Sequence, residues 1–239
     1  MNRSQNKKKI FALLQNHQWN EIEAALLKCD PKDCISPFFA ALCNPDEILK
    51  WHAVSGFGVV VHRIARSEME EARIVMRRLL WSLNDESGGI GWGAPEAMAE
   101  IMAGHDDLFE EYCHMLLSYM GEDGPESFQD GNYLELPALQ QGLLWGIGRL
   151  LCCRTEEMLS RGVKAELPKY LNSSDRIVQG LAAWCLGMCR SLDSALHIDE
   201  LERLSKESFT FKLYWNHALQ EVCVASLARQ ALDAIQANS

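Results

Sequence analysis

From Leu79 to Gly148, 70 consecutive residues, this chain has no lysine and no arginine. The same stretch holds thirteen carboxylates. Residues 1–83 carry 12 basic and 9 acidic side chains, and residues 149–239 carry 11 of each. The formal charge of -10 therefore belongs to the middle of the chain. A phosphate backbone needs basic surface, so this distribution speaks against a nucleic-acid partner. No apolar run approaches the roughly 18 residues of a membrane span. The polar start, Met1 to Lys9, is followed by an apolar stretch broken by Gln15, Asn16 and His17, so no signal-peptide core is read there. A cytoplasmic protein without a membrane partner is expected.

Other absences narrow the chemistry. There is no Cys-x-x-Cys pair among the nine cysteines, none of the seven histidines is followed by glutamate, and no Walker, zincin or nucleophile motif is present. Asn84-Asp85-Glu86-Ser87-Gly88 does not have the spacing of a calcium-binding helix–loop–helix. An odd number of cysteines with no secretory signal implies reduced thiols, most of them buried as small apolar filler. No metal and no cofactor is expected. No segment alternates with period two, so strands are not expected either.

Helical periodicity fills the chain instead. Ile10-Phe11-Leu13-Leu14, Ile22-Ala25-Leu26 and Phe38-Phe39-Leu42 read as short helices. Asn44-Pro45-Asp46 stops the last of these and caps a long helix through Ile48, Trp51, Val54, Phe57 and Val61. Later breaks fall at 84–93, 121–132, 172–175 and 191–193. Gln141 to Gly148 is echoed by Gln179 to Gly187 at an offset of 38 residues, and Trp51-His52-Ala53 by Trp92-Gly93-Ala94 at 41. Trp51, Trp92, Trp145, Trp184 and Trp215 read as one tryptophan in every second helix. A helix-pair period near 40 residues is the signature of a stacked α-solenoid, whose pairs bury their apolar faces only against neighbours. Gly56-x-Gly58 and Gly146-x-Gly148 fall inside helices and serve close helix approach, not phosphate binding.

Leu42-Cys43-Asn44-Pro45-Asp46-Glu47-Ile48-Leu49-Lys50-Trp51-His52-Ala53 resembles the loop and second-helix start of the HEAT-like repeats, armadillo-type superhelices. Gln179 to Gly187 resembles the later part of the same helix. Trp81 to Glu96 is similar to a segment of uncharacterised bacterial members of that class. The resemblance implies an all-α, right-handed α-α superhelix of about five helix pairs, with residues 1–239 as one domain. It implies no single activity, since HEAT-like relatives include scaffolds, bilin lyases and an alkylpurine DNA glycosylase group.

The candidate site is the glycine-rich loop and the helix after it: Asp85, Glu86, Trp92, Glu96 and Glu100. Glycines at 88, 89, 91 and 93 open backbone angles closed to other residues, and their N–H groups could face a ligand. Glu96 and Glu100 lie one turn apart on one helix face. Two readings stay open for these acids. They converge on a metal or a partner's lysine or arginine, or they pair with Arg73, Arg77 or Arg78 of the preceding helix. His52 and His217, each near a tryptophan, read either as groove-facing groups or as packed core histidines. The function expected is a non-catalytic scaffold for a protein or peptide with basic surface. A bilin-lyase-like cofactor handler is the alternative, and a glycosylase-like enzyme fails on charge. Oligomeric state is not legible.

Overall fold

The computed structural model describes residues 3–16, 18–83, 91–121, 132–189 and 197–237. Its elements are α1 (Arg3–Leu14), α2 (Trp19–Leu26), α3 (Pro31–Leu42), α4 (Glu47–Ser67), α5 (Met69–Leu83), α6 (Ala94–Ala103) and α7 (Asp106–Ser118). They continue with α8 (Pro137–Cys153), α9 (Thr155–Ser160), α10 (Val163–Glu166), a 3-10 turn at Pro168–Asn172, α11 (Arg176–Met188) and α12 (Ile198–Leu204). Strands β1 (Thr210–Trp215) and β2 (Ala218–Cys223) precede α13 (Val224–Gln236). The chain divides into two compact units, Met1–Cys113 with Asn216–Ala218, and His114–Trp215 with Leu219–Ser239.

Helix starts follow the local chemistry. The Asp46 carboxylate accepts from the N–H groups of Ile48 (3.1 Å) and Leu49 (3.2 Å), opening α4 right after Pro45. Asp175 does the same for Ile177 and Val178 at α11, and Asp30 for Lys32 at α3. Each such cap satisfies N–H groups that have no partner inside the helix.

In the first unit α4 is the central helix, packed by α1, α2, α3, α5 and α6. Between Leu49 and Ile64 it is buried at eleven positions, among them Ala53, Val54, Phe57, Val60 and Val61. A helix covered on all sides has little use for an amphipathic pattern, which explains its nearly continuous apolar run. In the second unit α11 holds the same place, packed against α8, α13, α12 and the 3-10 turn. Apart from β1 and β2, every described element is helical, and the fold is of the all-α solenoid type.

One element departs from the sequence reading. Residues 210–223 form a two-stranded hairpin, so Trp215 ends a strand and is not a helix residue. Phe211, Leu213 and Tyr214 are buried while Thr210 and Lys212 are exposed. The run is ambiguous because Phe211, Tyr214 and Trp215 also stand at helical spacing. The turn decides it: Asn216 (φ 50°) and His217 (φ 60°) both take positive φ, as a two-residue hairpin loop matched to strand twist requires.

The thiols also differ from expectation in part. All nine are free, but only Cys34, Cys113, Cys185 and Cys189 are buried. Cys43, Cys152 and Cys153 are exposed because they stand at the C-terminal ends of α3 and α8, where helices leave the packed layer. Burial pushes the Cys34 thiol up to about 12 and the Cys189 thiol up to about 11, so neither offers a thiolate at neutral pH. Titration of the native protein with Ellman's reagent is therefore expected to show a fast phase from these three exposed thiols. The four buried ones should wait for unfolding. A fast phase that survives replacement of Cys43, Cys152 and Cys153, together with the half-buried Cys29 and Cys223, by serine would contradict this ordering.

Candidate functional site

The turn that enters α6 is fixed by two glycines. Gly93 (φ 74°) caps the helix, and a Cβ there would lie 2.8 Å from Leu42 Cδ2 of α3. A Cβ on Gly91 would lie 2.8 Å from the backbone oxygen of Ser82, at the end of α5. These glycines are buried and serve close packing of the turn, and Gly91 O accepts from Ala94 N–H at 3.0 Å. Gly88, Gly89, Asp85 and Glu86 lie outside the described residues.

On this closely packed turn Trp92 is 37% exposed. Everything after it is inside, since Ala94 through Ala99 are all buried. Glu96 is only 3% exposed and turns inward. Its Oε1 accepts from Lys50 Nζ of α4 at 3.1 Å, and its buried Oε2 has no hydrogen-bond partner among the protein atoms. The Lys50 side chain is 22% exposed, and its Nζ stands 5.2 Å from the Trp51 ring centroid. Glu100, one turn further, is half-buried.

Among the described residues, the arginines of α5 do not pair with Glu96 or Glu100. Arg73 donates from Nε and Nη2 to both oxygens of Glu111, at 2.8 and 2.6 Å. Arg77 donates to Glu70 at 2.6 Å. These guanidinium hydrogen bonds hold the Glu111 and Glu70 carboxyls below the usual carboxylate range. The Arg78 guanidinium carbon lies over the Phe39 ring, 4.1 Å from its centroid. The counter-charge to Glu96 is thus Lys50, 46 residues earlier in sequence. A signal for it was present: a lysine in the first turn of a helix faces the positive end of the helix dipole and calls for a specific carboxylate.

The two histidines have different fates. His52 is buried, with Nδ1 2.7 Å from the backbone oxygen of Leu14, which makes it a core histidine. His217, in the first unit, is exposed and stacks on Trp19 with ring centroids 4.4 Å apart and planes 7° from parallel. Its Nδ1 lies 3.3 Å from Ser55 Oγ. Trp145 and Trp184 are core, as expected, and Trp145 Nε1 donates to Tyr214 O at 2.7 Å. Among the described residues no three His, Cys, Asp or Glu side chains converge on a metal-sized space, and no helix is long and apolar enough to cross a membrane.

No family model matches the chain. An uncharacterised protein of Archaeoglobus fulgidus is 33% identical over 87 residues, which are 36% of this chain and 44% of that protein. The chain therefore spans less than half of that relative's length. Two engineered proteins of known crystal structure are similar over nearly the whole chain. One has a TM-score of 0.52 at 15% identity, covering 98% of this chain and 97% of the other. The second has a TM-score of 0.51 at 14% identity, covering 97% and 98%. A computationally designed armadillo repeat protein for modular peptide recognition is also similar, with a TM-score of 0.49 at 17% identity over 95% of this chain and 98% of its own. At such identities the likeness is one of fold.

Proposed function

We propose that the chain is a non-catalytic scaffold that binds a protein or peptide with basic surface, residues 1–239 acting as one domain. The contact surface centres on Trp92, with Glu100 eight residues later on α6 and Asp85 and Glu86 just before it in sequence. Glu96, buried and paired with Lys50, supports the helix that follows the turn and is not itself a contact residue in this reading. The observation that carries the reading is a large aromatic side chain left partly in solvent on a turn that is otherwise clamped. A rigid, exposed tryptophan loses little entropy on docking and makes an effective anchor. A cationic side chain of the partner would lie over the Trp92 ring, drawn by the thirteen carboxylates of residues 79–148.

The test is capture from cell extract at low and high salt, with wild-type protein and Trp92→Ala compared by quantitative mass spectrometry. Basic partners should be retained at low salt, released at high salt, and lost in Trp92→Ala. The melting temperature of the variant should stay close to wild type, because an exposed ring contributes little to the core. If Trp92→Ala melts early while capture per folded molecule is unchanged, the turn is structural and the reading is wrong.

A further inference from the structure

We infer that the outer face of α5, carrying Ile74, Arg78 and Trp81, is a second docking surface. Its occupant is a protein segment that presents a carboxylate next to an apolar side chain. The three residues are spaced i, i+4 and i+7, which places them on one side of the helix. Ala72, Val75, Met76 and Leu79 make the opposite, buried side. Trp81 is 74% exposed and Ile74 is 40% exposed. Trp81 is thus far more open than Trp92, and a tryptophan left so exposed forfeits most of the burial that favours it in a core.

Charge selects the occupant. Arg73 and Arg77, the other two arginines of α5, have Glu111 and Glu70 as partners. Arg78 has no carboxylate within ion-pair distance among the described residues, and its one ring contact is with Phe39. A contact with one ring uses only part of a guanidinium, which has five N–H donors and can bind a carboxylate in bidentate fashion. An arginine anchored on a ring, without a carboxylate partner among the described residues and standing between two exposed apolar side chains, has the composition of an interface hot spot. A single-stranded nucleic acid could also stack on Trp81, but its backbone needs a run of basic side chains, and Arg73 and Arg77 already have Glu111 and Glu70 as partners. The inference goes beyond the Trp92 surface, whose preferred partner carries the opposite charge.

Selection of random displayed dodecapeptides on the whole protein tests it, with counter-selection on Trp81→Ala. The recovered peptides should be enriched in Asp or Glu adjacent to a large apolar residue. Measured by fluorescence anisotropy, their binding should weaken about tenfold or more in Trp81→Ala and in Arg78→Gln. Arg78→Lys should recover only part of it, and Trp92→Ala should leave it intact. Peptides without acidic enrichment, or peptides that bind Trp81→Ala as well as wild type, would overturn the assignment. So would oligothymidylate binding that depends on Trp81, or a concentration-dependent dimer in sedimentation that Trp81→Ala abolishes. Since Trp81 and Arg78 are exposed, an unchanged circular dichroism melt is expected and separates lost binding from lost folding.

Discussion

Trp184→Ala is expected to lower the unfolding free energy by about 3–5 kcal/mol, the range for deleting a large buried aromatic side chain. The ring sits in the second unit between α8 and the hairpin. It makes an edge-to-face contact with Trp215, centroids 5.2 Å apart, and covers Gly148 of α8. A methyl group on Gly148 would overlap the six-membered part of the indole. The ring is buried, so it cannot swing into solvent to make room. Gly148→Ala should therefore destabilise the wild-type protein by about 1–3 kcal/mol through overpacking, less the gain of up to ~1 kcal/mol that alanine brings to a helix interior. In the Trp184→Ala background the sign should reverse, because the methyl enters the space the indole left and the helix gain remains. Urea unfolding of the two single variants and the double variant measures this directly. Additive effects would mean that the glycine and the ring are not matched to each other.

That same contact shows what the sequence could reveal. The echo between Gln141–Gly148 and Gln179–Gly187 falls on α8 and α11, which pack against each other, and the glycine of one copy sits under the tryptophan of the other. Repeated helices that stack must carry complementary small and large residues, so a fold of this kind writes itself into the chain as a period. The caps at Asp46 and Asp175 were legible for a related reason, since they depend on residues two and three positions away. Contacts that join distant residues leave no such trace. The Lys50–Glu96 pair spans 46 residues, and helical spacing alone put Glu96 beside Glu100 without saying which of the two faced inward. Trp81 falls outside the one-per-repeat series, and its lack of a repeat partner agrees with its exposure. The hairpin is not legible in the sequence because a six-residue run of aromatic and aliphatic residues fits either period.

Removing the carboxylate of Glu96 is expected to test whether that inward turn supports the fold or the binding surface. Glu96→Ala would leave the Lys50 ammonium, 22% exposed, next to a cavity and without its 3.1 Å partner. Breaking a fully buried pair typically costs about 3–5 kcal/mol, because one charge stays behind unpaired. Lys50 can reach water by reorienting its flexible stem, so about 2–3 kcal/mol is the expected loss here. The double variant Lys50→Met with Glu96→Met should recover most of it. Apolar side chains of similar volume need no counter-charge, and replacing both members of a buried pair is often close to neutral. The unpartnered Oε2 strengthens this expectation, since a carboxylate satisfied on one side only gives back less than it lost on leaving water. A double-mutant cycle by urea unfolding should give a coupling of at least about 1 kcal/mol between positions 50 and 96. Peptide or protein binding per folded molecule should be retained in the double variant, with Trp92 still on its turn. A coupling near zero would show that the pair is incidental. Full stability with lost binding would instead make Glu96 a contact residue for the partner, in the role that its place in the acidic segment first suggested.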